Sequence, residues 1–115
     1  MEAKDLASLI AKLSLEKKAQ DVVILNLMEL TTITDYFVIC SAGSDVQVKA
    51  ITDFITEQLK AQNIKVWHTE GYSSLKWVLL DLVDVVIHIF QPETRQYYNL
   101  EKLWGDAEII SVEDE

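Results

Sequence analysis

The chain has 115 residues, half of them hydrophobic, with 19 acidic side chains against ten basic ones and a formal charge of -9. That length makes one domain able to bury roughly two thirds of its unfolded surface, and the apolar content excludes a disordered chain. The acidity excludes a phosphate backbone as the main contact; near nucleic acid, the expected partner is a basic protein.

Cys40 is the single cysteine, which excludes an internal disulfide framework, and its apolar surroundings predict a buried thiol. No basic-then-apolar leader opens the chain and no apolar run reaches membrane length, so a cytoplasmic protein is expected.

Residues 2–19 read as an amphipathic helix, with Leu6, Leu9, Ile10 and Leu13 at three- and four-residue spacing. Residues 21–27 (DVVILNL) are strand-like, and 30–34 (LTTIT) form a polar-apolar connection. Residues 35–41 (DYFVICS) predict a second strand. Tyr36, Val38 and Cys40 point one way and Phe37 and Ile39 the other, so both faces need cover. Gly43 turns the chain, and Ser44 with Gln47 has capping-box spacing for a helix to about residue 62. A short strand over 64–68 (IKVWH) and a loop at 70–74 follow.

The organising stretch is 77–90, WVLLDLVDVVIHIF: one long strand, or two meeting near Leu82-Val83 with Asp81 and Asp84 on either side. Its Val and Ile content argues against helix. The hairpin reading fits the apolar runs on both sides, although Val83 is a poor occupant of a turn position needing positive φ. Pro92 suits the first position of a helical turn, and Asn99 suits a cap for 100–104. Residues 108–115 are expected to be an acidic tail beyond a domain of 1–107. The pattern predicts an α/β fold: one mixed sheet of about five strands flanked by helices.

Asp35, Asp81 and Asp84 could converge to hold a divalent metal for nucleotidyl or phosphoryl transfer. Asp81 and Asp84 better suit turn backbone groups, keeping that end of the sheet in solvent. Gly43, Gly71 and Gly105 fit no phosphate-cradling spacing, and a single arginine is short of the clamps such chemistry uses. His88 reads as a packed, hydrogen-bonded core histidine. Metal ligation would need a third donor, and nothing in the sequence brings Cys40 to a histidine. The aromatics Tyr36, Trp77, Tyr97, Tyr98 and Trp104 lie near carboxylates, as in an interface core with a charged rim or in a cap over the sheet.

In order and spacing, DYFVICSAGS (35–44) with Gln47, Glu70-Gly71, WVLLD (77–81), Asp84, His88, Phe90, Arg95 and YNLEKLW (98–104) resemble the ribosomal silencing factor family, also called the Iojap family. The resemblance implies a nucleotidyltransferase-like scaffold without catalytic apparatus, cofactor or metal. It implies a non-enzymatic repressor that binds the fourteenth protein of the large ribosomal subunit and blocks joining of the small subunit when nutrients are short. It also implies a homodimer when free, with no membrane contact and no direct nucleic-acid binding as the main contact. On that basis Asp35, Tyr36, Trp77, Asp81, Asp84, Glu101 and Trp104 are the candidate ribosome-binding residues. Gly43, Ser44, Gln47, His88, Phe90, Tyr98, Leu100 and Leu103 are the candidate structural ones. The chain departs from the family at Val83, where glycine is common, and at Leu75, where a small or acidic residue is usual. The short N-terminus favours a bacterial member over an organellar one.

Overall fold

The computed structural model describes residues 1–112. Its elements are α1 (Ala3–Glu16), β1 (Gln20–Asn26), β2 (Tyr36–Ser41), α2 (Asp45–Ala61), β3 (His68–Glu70), β4 (Trp77–Asp81), β5 (Val85–Phe90), α3 (Pro92–Tyr98), α4 (Leu100–Leu103) and β6 (Glu108–Ser111). The strands form one sheet in the order β3-β4-β5-β2-β1-β6. β2 and β5 are parallel; the other neighbouring pairs are antiparallel.

The hairpin reading of 77–90 holds, and β5 sits at the centre of the sheet with every residue buried. Two-sided burial is why the stretch reads as an almost unbroken apolar run. Val85, Ile87 and Ile89 join Tyr36, Val38 and Cys40 in the core beneath α1 and α2, which contribute Ile10, Val48, Ile51, Ile55 and Leu59. Leu25, Leu27, Ile39 and Phe90 form the second core, covered by Leu100 and flanked by Phe37, Trp77 and Trp104.

The caps follow local chemistry. Ser44 Oγ accepts from Gln47 N at 3.2 Å, and Gln47 Oε1 accepts from Gly43 N rather than from the cap residue itself. Asn99, at φ 46, ends α3 and caps α4 through a bond from Lys102 N at 3.2 Å. α1 stops at Glu16, short of the expected residue 19, because Lys18 takes φ 67 and Ala19 N turns back to Ser14 O.

Three expectations are corrected. The short strand lies at His68–Glu70, not over 64–68: Ile64 and Val66 pack against the core from outside the sheet, and pairing begins where Trp67 N reaches Asp81 O. The sheet has six strands rather than about five. The sixth comes from the expected tail: Glu108–Ser111 pairs antiparallel with β1 and lays Ile110 on the first core. The rest of that tail, residues 113–115, lies outside the described residues.

Candidate functional site

Directly opposed residues share a face of the sheet. The register therefore places His68, Asp81, Val86 and Phe37 in one row, and Glu70, Leu79, His88 and Ile39 in the next. Trp77 and Phe90 begin a third. This is the face opposite α1 and α2. The short α3–α4 segment covers part of it and leaves the β3–β4 side open, where Trp77, Leu79 and Asp81 are half-buried and His68 and Glu70 exposed.

An aromatic cluster marks the edge of the cover. Trp77 stacks on Phe90 with centroids 4.8 Å apart and meets Tyr98 of α3 at 4.8 Å. Trp77 Nε1–H donates to His88 Nδ1 at 3.1 Å, so neutral His88 carries its proton on Nε2. Phe37 stands edge-on to His88 at 4.4 Å, and Trp104 is perpendicular to Phe37. Burial depresses the His88 pKa to about 3, since the imidazolium would have little solvent. His88 is thus the packed, hydrogen-bonded core histidine the sequence indicated. Cys40 points to the opposite face, and burial, slightly offset by the Arg95 charge, raises its thiol to about 12. A sheet separates the two, so they form no nucleophilic pair.

The three aspartates gather at one end of the sheet without becoming a metal centre. Asp81 Oδ1 accepts from Val83 N at 2.8 Å and is committed to the turn; Asp84 is exposed and Asp35 half-buried. Among the described residues no three His, Cys, Asp or Glu side chains are grouped to hold a metal ion.

The other candidates divide by burial. Tyr36 is 5% exposed and belongs to the first core, so it is corrected from a docking candidate to a packing residue. Trp104 is half-buried against Phe37. Glu101 faces Arg95, whose guanidinium donates to both its carboxylate oxygens, at 3.2 and 3.1 Å, and to Asp21 O and Ser41 Oγ. That cluster ties α3 and α4 to the ends of β1 and β2 and lines a hollow of about 610 Å³; Glu101 is therefore a structural partner. Leu100 packs in the second core, but Leu103, expected to pack, is 71% exposed, and Tyr98 is 52% exposed despite its contact with Trp77. α4 is a single turn, and only Leu100 faces inward.

Sequence reasoning missed the Arg95 cluster; a lone arginine followed six residues later by Glu101 was the available signal. It also missed the pinning of loop 71–76 to α2. Tyr72 OH donates to Asp53 at 2.7 Å and Lys76 Nζ to Asp45 at 3.0 Å. These bonds, with Lys49 and Gln91 assisting, hold both carboxyls below the usual range. Both departures noted above, Leu75 and Val83, have left-handed backbones, at φ 61 and φ 75.

Comparison with known proteins points in one direction. The family profile described as ribosomal silencing factor during starvation matches residues 1–115. Over 113 residues the chain is 42% identical to a ribosomal silencing factor of Halalkalibacterium halodurans, covering 98% of this chain and 97% of that one. Identity to the Bacillus subtilis factor is 41% over 113 residues, covering 98% and 96%. The chloroplastic Iojap protein of Zea mays is 36% identical over 111 residues, which cover 96% of this chain and 48% of that longer protein. A crystal structure of a Chromobacterium violaceum protein superposes with a TM-score of 0.88 at 32% identity, covering 91% of this chain and 88% of that one. One from Bacillus halodurans gives 0.81 at 40% identity, covering 96% and 99%. Matched along its whole length by the family profile, and over 91% and 96% of it by the two solved structures, the chain belongs to the ribosomal silencing factor family.

Proposed function

We propose that the chain is a non-enzymatic translational repressor that docks on the large ribosomal subunit through its fourteenth protein and sterically blocks the small subunit under nutrient limitation. The observation that carries this reading is the open strip of sheet beside α3, where Trp77, Leu79 and Asp81 stand half-buried with Asp84 beyond them. The sequence has no Lys or Arg from Trp77 to Thr94, so the strip presents apolar surface with carboxylates. That combination fits a basic protein surface: the apolar centre supplies affinity, and the charges supply rate and orientation.

Against the alternative, a metal-dependent transferase using Asp35, Asp81 and Asp84, stands the commitment of Asp81 to the Val83 backbone. The family resemblance supports a homodimer for the free protein and a cytoplasmic location. No helix among the described residues is long and apolar enough to cross a membrane.

The test is sedimentation with separated ribosomal subunits, followed by a subunit-joining assay. Wild type co-migrates with the large subunit only and blocks joining. Leu79→Ser weakens that binding. The Asp81→Asn/Asp84→Asn pair, which keeps an acceptor for the turn while removing two charges, weakens it about tenfold and flattens its salt dependence. Binding of both variants at the wild-type level would remove the strip from the interface.

A further inference from the structure

Two loops meet at one end of the sheet. The β1–β2 connection and the β4–β5 turn are stitched together by Asp35 N and Tyr36 N, which both donate to Asp84 O, at 3.0 and 3.1 Å. From this seam Ile33 projects 81% exposed and Val83 53% exposed. The Val83 backbone is strained. Asp84 N bonds back to Leu82 O across a residue at φ 75, which makes a γ-turn of the rare positive-φ kind. A β-branched side chain disfavours that conformation, and here its exposure returns little burial to the fold. Within the monomer the residue costs stability and contributes almost nothing.

The surroundings say what kind of surface would use it. Asp35 and Asp84 meet at the seam beside the two tips, and no Lys or Arg occurs from Ala19 to Val48 or from Trp77 to Thr94. The tips continue the open strip, because Val83 N is bonded to Asp81 Oδ1. We propose that Ile33 and Val83 form the apolar tip of an acid-collared knob that inserts against a basic protein surface of the large ribosomal subunit, carrying the docking face around the end of the sheet. This inference rests on the docking function proposed above. The collar repels nucleic acid phosphates, and a second copy of this chain would set collar against collar, so a basic protein is the occupant that fits.

The experiment measures binding of Ile33→Ser and Val83→Gly to purified large subunits by sedimentation, with thermal unfolding and self-association followed in parallel. Each variant weakens subunit binding about tenfold, as expected for loss of one apolar anchor. Ile33→Ser melts with wild type, and Val83→Gly melts higher. If both bind as wild type while Leu79→Ser does not, the knob lies outside the footprint and the inference fails with the docking reading intact. If the variants change self-association and leave subunit binding untouched, the tip is a dimer contact and the inference is overturned. If wild type itself ignores the subunits, both readings fall.

Discussion

Acidification should destabilise this protein through His88 by an amount the structure sets. The imidazole titrates at about 3 in the fold because it is buried among Phe37, Trp77 and Phe90, against about 6.5 in an unfolded chain. Above pH 6.5 neither state is protonated at this site, and the full stability is present. Between 6.5 and 3 only the unfolded chain takes up the proton, so stability falls with pH. At pH 5 the loss is about 2 kcal/mol, and below pH 3 it approaches ~5 kcal/mol. His88→Phe keeps a ring in the aromatic cluster and removes the titration. It also leaves the Trp77 indole N–H without its acceptor, a penalty present at every pH. Urea unfolding of both proteins at pH 7, 6 and 5 isolates the effect, because the carboxylates common to both cancel in the difference. The stability of wild type relative to His88→Phe should drop by about 2 kcal/mol from pH 7 to 5. A difference that stays constant with pH would refute the burial argument.

Four further substitutions test the backbone and the Arg95 cluster. Val83→Gly relieves strain of about 1–3 kcal/mol and gives back about 0.5–1 kcal/mol in unfolded-state entropy. A net gain of about 1 kcal/mol follows, seen as a rise of roughly 4 °C in Tm with an unchanged urea m-value. Gly71→Ala should cost roughly 3 kcal/mol in equilibrium unfolding, because a Cβ there would lie 1.9 Å from Trp77 O on a backbone at φ 81. Arg95→Ala leaves Glu101 unpaired and strips donors from Asp21 O and Ser41 Oγ. Urea unfolding should show a loss of about 3 kcal/mol, and Glu101→Gln should lose less.

The sheet was legible where burial is two-sided or strictly alternating, as in β2 and β5, and the helices where apolar spacing and a cap agreed, as in α2. β6 was not: Glu108 and Ser111 resemble their acidic neighbours, and only pairing with β1, far away in sequence, makes a strand of them. β3 slipped for a related reason. Its apolar-looking stretch, Ile64 to Trp67, serves packing and a cation–π contact with Lys65, while the paired residues are polar. At the candidate site, the histidine and the turn aspartate were readable because a buried polar residue and a tight turn each need a hydrogen bond. Burial of Tyr36 was signalled by its alternation with Val38 and Cys40, whereas exposure of Leu103 was not legible, since residue type alone does not tell which face of a short element a cover reaches. The strain at Val83 was legible from the residue itself, which is unsuited to the turn that its neighbours demand.

The pairing of β1 with β6 bears on how the chain comes to fold during its own synthesis. Asn26 and Glu108, bonded across that pair, are 82 positions apart, and the central β2–β5 pair likewise waits for the second half of the chain. The N-terminal helix and first strands therefore leave the ribosome with a sheet edge that no nascent segment can yet satisfy. Contacts of such long range close late and slowly, and an open apolar edge in the interval invites misassembly. A truncation after Gly105 would make that interval permanent. Its product should partition to aggregates during translation, whereas a chain that carries β6 covers the β1 edge with it.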